Sequence, residues 1–429
     1  MTARTLAEWL RWQESLSPHA VELGLERVGV VLGRLKLQAP AGRVVTVAGT
    51  NGKGTTVTQL QDMLLAADRR PGLYTSPHLV HYNERIRICG QPVADAELVR
   101  AFERVEAVRA DVPLTYFEFG TLAAFSCFVQ ARCDTWILEV GLGGRLDAVN
   151  VLAADLALIT TIALDHQDWL GETVEEIAAE KAGIMRSGRQ AFYADQPVPA
   201  AIRNHAAEIG APLAIAGSDF SYSLSSSPTT TGACDWSWQG SAGRITGLKA
   251  PQFWSAAQYR NASLVLATLS VLEPAWLDDV AALNAVFARS RPDGRFQQVR
   301  RAAHEWILDV AHNPQAATVL RAQLETLPPA IETTIVTTLL ADKAVTPFVA
   351  ALAPLATRWI VAGIDDPRAS SSERICTGMA AAGIDAPEYA VTPEAAFALA
   401  ERLTPPNGRI VVCGSFRIVA PALQWLGLY

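Results

Sequence analysis

Residues 43–56, RVVTVAGTNGKGTT, constrain this chain more than any other stretch. Residues 43–48 are apolar and largely β-branched, which predicts a buried strand, and Val57, Leu60 and Leu64 recur afterwards at helical spacing. The turn between them carries Gly49, Gly52, Lys53 and Gly54, and such a turn lets backbone amides close around a phosphate. The following helix points its positive end at the anion, and the lysine adds a point charge. A tight glycine turn without a ligand is the alternative, and it has no need of a lysine. One position departs from the general phosphate-loop string. Gly54 follows Lys53, so the hydroxyl that usually ligates Mg²⁺ is missing from its place. Thr55 or Thr56 could reach back. Thr75 and Ser76 in YTSPHL are the nearest other hydroxyls, because parallel strands deliver their C-terminal ends to one crevice.

The chain around this loop alternates. Leu6, Trp9, Leu10 and Leu16 predict one helix, and residues from about 21 to 37 predict a second. Apolar runs at 72–74, 136–140, 156–162 and 190–193 read as strands, with helical patterns at 98–108 and 173–185. Residues 217–248 break the rhythm: SYSLSSSPTTTG is polar, WSWQ alternates, and hairpins or loops at the sheet edge are expected. Pro292, Asp293 and Gly294 mark a linker. Beyond it come strands at 306–310, 334–339, 359–362 and 409–413, with helices at 316–327 and 346–355 and a final helix. The expected fold is α/β: a phosphate-loop-ATPase-type, mainly parallel sheet domain at 1–288, a linker at 289–296, and a smaller Rossmann-like doubly wound domain at 297–429. No repeat at a solenoid period is present.

A length of 429 residues suits two domains, and a chain 50% hydrophobic and 18% charged can bury large cores. The net charge of −7 and pI near 5.6 give no global reason to hold nucleic acid or an anionic membrane, so any polyanion must be held locally. The apolar stretch 262–272 is too short to span a bilayer and is broken by Ser263, Thr268 and Ser270. Glu8 and Glu14 sit where a signal peptide would be cationic and then apolar. The 6 cysteines form no CxxC and read as thiols of a reducing compartment. A cytoplasmic monomer acting on small molecules is expected.

Other strand ends carry chemistry. Glu139 lies in the apolar run of WILEVGLGGRLDAVN, where a carboxylate is expensive unless it is paired or holds a metal. Asp165 and His166 end LITTIALDH beside the phosphate loop, where Mg²⁺ and nucleotide need neutral nitrogen and anionic oxygen donors. Lys181 lies on a helical pattern close to Glu176 and Glu180, and periodicity alone leaves it a solvated ion pair.

Assembled in this order, the motifs resemble the dihydrofolate synthase/folylpolyglutamate synthase family of ATP-dependent ligases, relatives of the muramyl-peptide ligases. The resemblance runs through LGLERV (23–28), VAGTNGKGTT (47–56), YTSPHL (74–79), LTYFEFGT (114–121), LEVGLGGRLDAVN (138–150) and ALDHQDWLG (163–171). It continues in EKAGI (180–184), GRFQ (294–297), DVAHNP (309–314) and VCGSF (412–416), and so covers nearly the whole chain. It implies that Thr50, Asn51, Gly52, Lys53, Gly54 and Thr55 cradle ATP, with Asn261, Arg295 and Asp309 as further nucleotide contacts. It implies that Ser76 and Glu139 hold one Mg²⁺ and that His166 with Glu139 holds a second. Lys181 would be a further ligand, carbamylated into a carboxylate-like donor once neutral. A monovalent cation is a further candidate. His312 would lie near the nucleotide and the incoming L-glutamate. The pterin pocket would comprise Glu22, Leu23, Gly24 and Leu25, Thr115, Tyr116, Phe117 and Glu118, and Leu146, Asp147 and Ala148.

The resemblance therefore implies a bifunctional bacterial ligase that adds L-glutamate to dihydropteroate and to reduced folates through an acyl phosphate, with Lys53, His166, Lys181 and His312 as its catalytic set. Some positions depart from the family pattern: Asp293 before the linker Gly-Arg, no His beside Gln258, Thr338 and Ala344 around Asp342–Lys343, and Arg417. None falls in the metal set. A muramyl-type ligase would carry a UDP-binding domain before the loop, and only 48 residues precede Gly49. A nucleotide switch would carry a guanine-reading Asn-Lys-x-Asp string, which is absent from the sequence.

Overall fold

The structure is a computed structural model that describes residues 4–17, 22–37, 40, 42–225 and 234–429. It divides into two compact units: Met1–Ala250 with Gln258–Ser290, and Pro251–Ala257 with Arg291–Tyr429. The short segment Pro251–Ala257 thus groups with the second unit although it lies well before the linker in sequence.

The first unit opens with helices α1 (Leu6–Glu14) and α2 (Glu26–Leu35), then strand β1 (Arg43–Ala48) and helix α3 (Lys53–Ala66). Strands β2 (Pro71–Tyr74), β3 (Ile86–Ile88) and β4 (Gln91–Pro92) precede helices α4 (Asp95–Arg109) and α5 (Tyr116–Gln130). Strands β5 (Thr135–Glu139) and β6 (Leu156–Ile159), helices α6 (Gln167–Leu170) and α7 (Val174–Ala182), strand β7 (Gln190–Tyr193), helix α8 (Ala200–Ile209) and strand β8 (Leu213–Ile215) complete the sheet. Its order is β4-β3-β2-β5-β1-β6-β7-β8; β2, β5, β1, β6, β7 and β8 pair in parallel, and the edge pairs β2–β3 and β3–β4 are antiparallel. β1 is buried between β5 and β6; the chain runs from it to β2 and β5 on one side and then crosses to β6, β7 and β8 on the other. That reversal opens a crevice beyond the strand ends.

Local chemistry explains most of these elements. A capping box starts α1: the Glu8 amide donates to Thr5 Oγ1 at 3.3 Å and the Thr5 amide to Glu8 Oε2 at 2.7 Å. Trp9 then seats on Phe102 and Phe119. Helix α5 was not legible as a helix, because residues 118–128 are buried all round and show no apolar stripe. Its start is set by the Thr115–Glu118 capping box, and Phe125 stacks on Trp136 of β5.

Residues 217–248 form antiparallel strands as expected, but not at the edge of the main sheet. Strands β9 (Ser221–Leu224), β10 (Cys234–Gly240) and β11 (Gly243–Ala250) form their own antiparallel sheet rather than an edge of the main one. Residues 226–233 of that region lie outside the described residues. Buried Trp236 and Trp238 decide the arrangement, one against Phe287 and the other donating from Nε1 to the Ser263 carbonyl at 3.1 Å. Helices α9 (Ala256–Leu272) and α10 (Val280–Arg289) carry those partners.

The second unit contains β12 (Gln297–Arg301), β13 (His304–Leu308), α11 (Pro314–Leu324), β14 (Thr333–Thr337), α12 (Val345–Leu352), β15 (Arg358–Ala362), α13 (Ser372–Ala381), β16 (Glu388–Ala390), α14 (Pro393–Leu403), β17 (Arg409–Cys413) and α15 (Phe416–Trp425). The sheet order is β12-β13-β17-β14-β15-β16, parallel except for the edge pair β12–β13. Strand β12 has no apolar face to announce it: QQVRR is mostly exposed and is held by its hairpin to β13. No helix among the described residues is long and apolar enough to cross a membrane.

Candidate active site

The loop from Gly49 to Gly52 is clamped against the end of β6. The Thr50 amide donates to the Thr161 carbonyl at 2.7 Å, and the Asn51 amide to Thr161 Oγ1 at 3.2 Å. Thr160 Oγ1 returns a bond to the Asn51 carbonyl at 2.7 Å. Two glycines are there for measurable reasons. Gly49 has φ +146° and a Cβ there would lie 1.9 Å from Thr160 Oγ1; Gly52 has φ +91° and a Cβ would lie 2.7 Å from Asn261 Oδ1. Asn261 is 5% exposed on α9, so the structure brings this distant residue to the loop. Gly49→Ala is expected to destabilise the first unit by about 1–3 kcal/mol. It should also weaken ATP binding, measured by urea unfolding and nucleotide titration.

Lys53 opens α3 behind the left-handed Gly52. Its ammonium donates to the Gly49 carbonyl at 2.8 Å and the Thr50 carbonyl at 3.3 Å. Lys181 Nζ donates to the same Gly49 carbonyl at 3.2 Å and is buried. Burial first, and then the Lys53 charge, bring its pKa down to about 7, while Asp165, Asp147 and Glu180 pull the other way. The surface-pair reading of Lys181 is thereby overturned: Glu180 pairs with Arg145 at 2.7 Å and Glu176 caps its own helix through Thr173. Lys181 points inward because α7 packs that face onto the phosphate loop.

Glu139 ends β5 beside Val47 of β1 and is 3% exposed. The Thr75 hydroxyl donates to its carboxylate, and Ser76, the hydroxyl that the resemblance assigns to the metal, is the partly buried next residue. His166 has a left-handed backbone at φ +51°, and its amide donates to Asp165 Oδ1 at 2.9 Å. Buried carboxylate, hydroxyl and imidazole at adjoining strand ends are a donor set that suits a hard divalent cation.

The proposed pterin segments also converge. The Gly24 amide donates to the Leu146 carbonyl at 3.2 Å, and Phe117 packs against Tyr74 and over Gly141. Asp147 accepts amides of Gly141, Leu142 and Val149, and burial raises its carboxyl to about 6 against those bonds. Arg27, missed in the sequence, ties Glu22 to Glu118. Thr160 and Thr161 were missed too; hydroxyls ending an otherwise apolar strand were their only signal.

In the second unit, Asp309 follows β13 and accepts amides of Phe296 and Ala311, each at 2.8 Å. Burial raises its carboxyl, and Arg295 and His312 oppose the shift. His312 is oriented through Nδ1 against the Val310 carbonyl at 2.9 Å. Arg295, Asp309 and His312 therefore form one group at the strand end.

Fold and site together define an ATP-dependent ligase. Residues 47–219 match the Mur ligase middle domain, and residues 294–416 match the Mur ligase, glutamate ligase domain. The dihydrofolate synthase/folylpolyglutamate synthase of Escherichia coli (strain K12) is 39% identical over 427 residues, 98% of this chain and 96% of that protein. The solved structure of E. coli FolC in complex with DHPP and ADP has a TM-score of 0.90 at 37% identity, covering 99% of this chain and 98% of that one. A bifunctional folylpolyglutamate synthase/dihydrofolate synthase with Mn, AMPPNP and L-glutamate bound has a TM-score of 0.87 at 39% identity, with the same coverage. This chain belongs to the dihydrofolate synthase/folylpolyglutamate synthase family.

Proposed function

We propose that the chain joins L-glutamate to dihydropteroate, and to reduced folates already carrying glutamate, with ATP converting the acceptor carboxylate to an acyl phosphate. The observation that carries this reading is the clamped Gly49–Gly52 loop with Lys53 and Lys181 sharing one carbonyl, in a chain of this family. Thr50–Thr55 and Asn261 hold the phosphates, and Lys53 moves from the Gly49 carbonyl to the γ-phosphate as the substrate carboxylate attacks in line. The amine of glutamate then attacks the acyl carbon and phosphate leaves.

Mg²⁺ fits this donor set, with Glu139, Ser76 or Thr75, His166 and carbamylated Lys181 as the groups that would hold up to two ions. When bound it would neutralise developing phosphate charge. The carbamate is chemically accessible because Lys181 is buried with a pKa near 7, so a neutral amine is available to CO₂. A monovalent cation near the same oxygens belongs to this proposal as well. The anionic ligands need local cations because the chain carries a net −7, and Lys53 and the N-terminus of α3 supply them at the phosphate loop.

The test is incubation with MgATP, L-glutamate and each pterin in turn. ADP release that depends on the pterin, with a product heavier by one glutamyl residue, is expected for both dihydropteroate and tetrahydrofolate. MgATP binding without turnover under any combination would reject the ligase reading.

A further inference from the structure

The hydroxyls of Thr75 and Ser76 belong to a loop that is fastened at both ends by neighbouring residues. β2 ends at Tyr74, which pairs with Ile86 of β3, and the short 3-10 turn Tyr82–Arg85 lies between the loop and β3. The Thr75 amide donates to the Arg85 carbonyl at 2.9 Å, which fixes the loop where it leaves the sheet. At the far end successive amides converge on one carboxylate. Leu79 donates to Glu84 Oε2 at 2.8 Å, and Val80 and His81 donate to Oε1 at 2.8 and 2.6 Å. Glu84 is only 7% exposed. Midway along the loop, Arg85 Nε donates to His78 Nδ1 at 2.8 Å. The turn is itself anchored, because Asn83 Nδ2 donates to the Val93 carbonyl at 2.8 Å and to Asp95 Oδ1 at 2.9 Å.

Consecutive backbone amides turned inward make a concavity for an anion, and here the chain supplies that anion itself. An ionised carboxylate accepts on both oxygens, whereas a side-chain amide would set a donor against one of the loop amides. Between the two fastenings stands Ser76, and Thr75 already donates to Glu139. We infer that Glu84 is the positioning residue for the metal-binding hydroxyls: by holding the amides of residues 79–81 it fixes the Thr75–Ser76 backbone against Glu139, and so sets how tightly the divalent cation is held. A loop without this fastening would have to be ordered by the cation, at a cost to its binding. Both Glu84 oxygens are engaged by loop amides, so Glu84 acts through the loop and not as a ligand. This deepens the metal reading above and rests on it.

The experiment measures the affinity for the non-hydrolysable ATP analogue AMPPNP by calorimetry, once with Mn²⁺ and once with EDTA. The ratio of the two affinities isolates the part of nucleotide binding that the cation supplies. For Glu84→Gln this ratio should fall about 10- to 100-fold, the usual effect of altering the support of a metal ligand, with the affinity in EDTA within about twofold. Glu84→Asp, which keeps the charge on a shorter side chain, should give an intermediate ratio. In turnover, Glu84→Gln should need about tenfold more Mg²⁺ for its half-maximal rate, with the KM for dihydropteroate within about twofold. Glu84→Gln with the ratio of the unaltered chain overturns the inference. A lower melting temperature at an unchanged ratio does so equally, since it leaves Glu84 a structural acceptor alone. An unaltered chain that binds AMPPNP equally well with Mn²⁺ and with EDTA would instead reject the metal reading, and the inference with it.

Discussion

Lys53→Ala is expected to lower pterin-dependent ADP formation by about 10³-fold or more, the scale of removing a preorganised cation from a phosphoryl-transfer site. The fold should survive. Lys53 is the first residue of α3, and alanine is the most favourable helix residue. The loop's backbone is held by Thr160 and Thr161 rather than by the lysine. Its bonds to the Gly49 and Thr50 carbonyls are lost, but Lys181 still reaches Gly49. Lys53→Arg is not expected to restore activity, because a guanidinium fork cannot occupy the space of a point charge inside the turn. The measurements are coupled ADP release, far-ultraviolet circular dichroism and the melting temperature. Turnover within about tenfold of the unaltered chain would remove Lys53 from the phosphoryl-transfer step.

Why Lys53 was legible in the sequence and Lys181 was not is a matter of contact range. The phosphate loop is one contiguous string, and its glycines, lysine and flanking periodicities all fall within residues 43–64. Glu139 and His166 were legible one step further out, because a charged or imidazole residue ending an apolar strand must be satisfied at the strand's C-terminal end. Lys181 depends on how α7 packs. The same local string EEIAAEK suits a solvated helix, and only the tertiary contact with Gly49 shows that its lysine points inward. Its role entered through resemblance to a family.

The same range governs the fold. Helices with one apolar face, such as α2 and α4, appeared at nearly their own positions, whereas the fully buried α5 carries no period to read. Strand β12 was missed for the opposite reason, since its register comes entirely from the antiparallel partner β13. Arg27 was invisible because its partner Glu118 is 91 residues away. Asn261 gained a place only through resemblance, and its contact with Gly52 supplies the physical reason: after Pro251–Ala257, which groups with the second unit, α9 brings the chain back to the first.

The pH dependence of Lys181 follows from its sign. Burial lowers its pKa from 10.5 to about 7, so between these values the unfolded chain binds a proton that the folded chain does not. Stability therefore rises with pH across that window, and below about pH 7 the full penalty of an interior ammonium remains. Lys181→Met should raise the melting temperature at pH 7 by several degrees, on the order of a few kcal/mol, and the gain should shrink as pH approaches 10.5. The same substitution should abolish turnover, which is the behaviour of a residue kept for chemistry at the expense of stability. Protonation below about pH 7 removes the neutral amine, and only that form captures CO₂. Activity should thus fall below pH 7 and respond to bicarbonate, and labelled bicarbonate should give a carbamate carbon resonance that Lys181→Met lacks. Lys181→Ala, which leaves space for a small acid, should regain much of its activity in acetate. A silent carbamate resonance together with no acetate rescue would leave Lys181 as a buried hydrogen-bond donor to Gly49, and the metal set would then rest on Glu139, His166 and the Thr75–Ser76 hydroxyls alone.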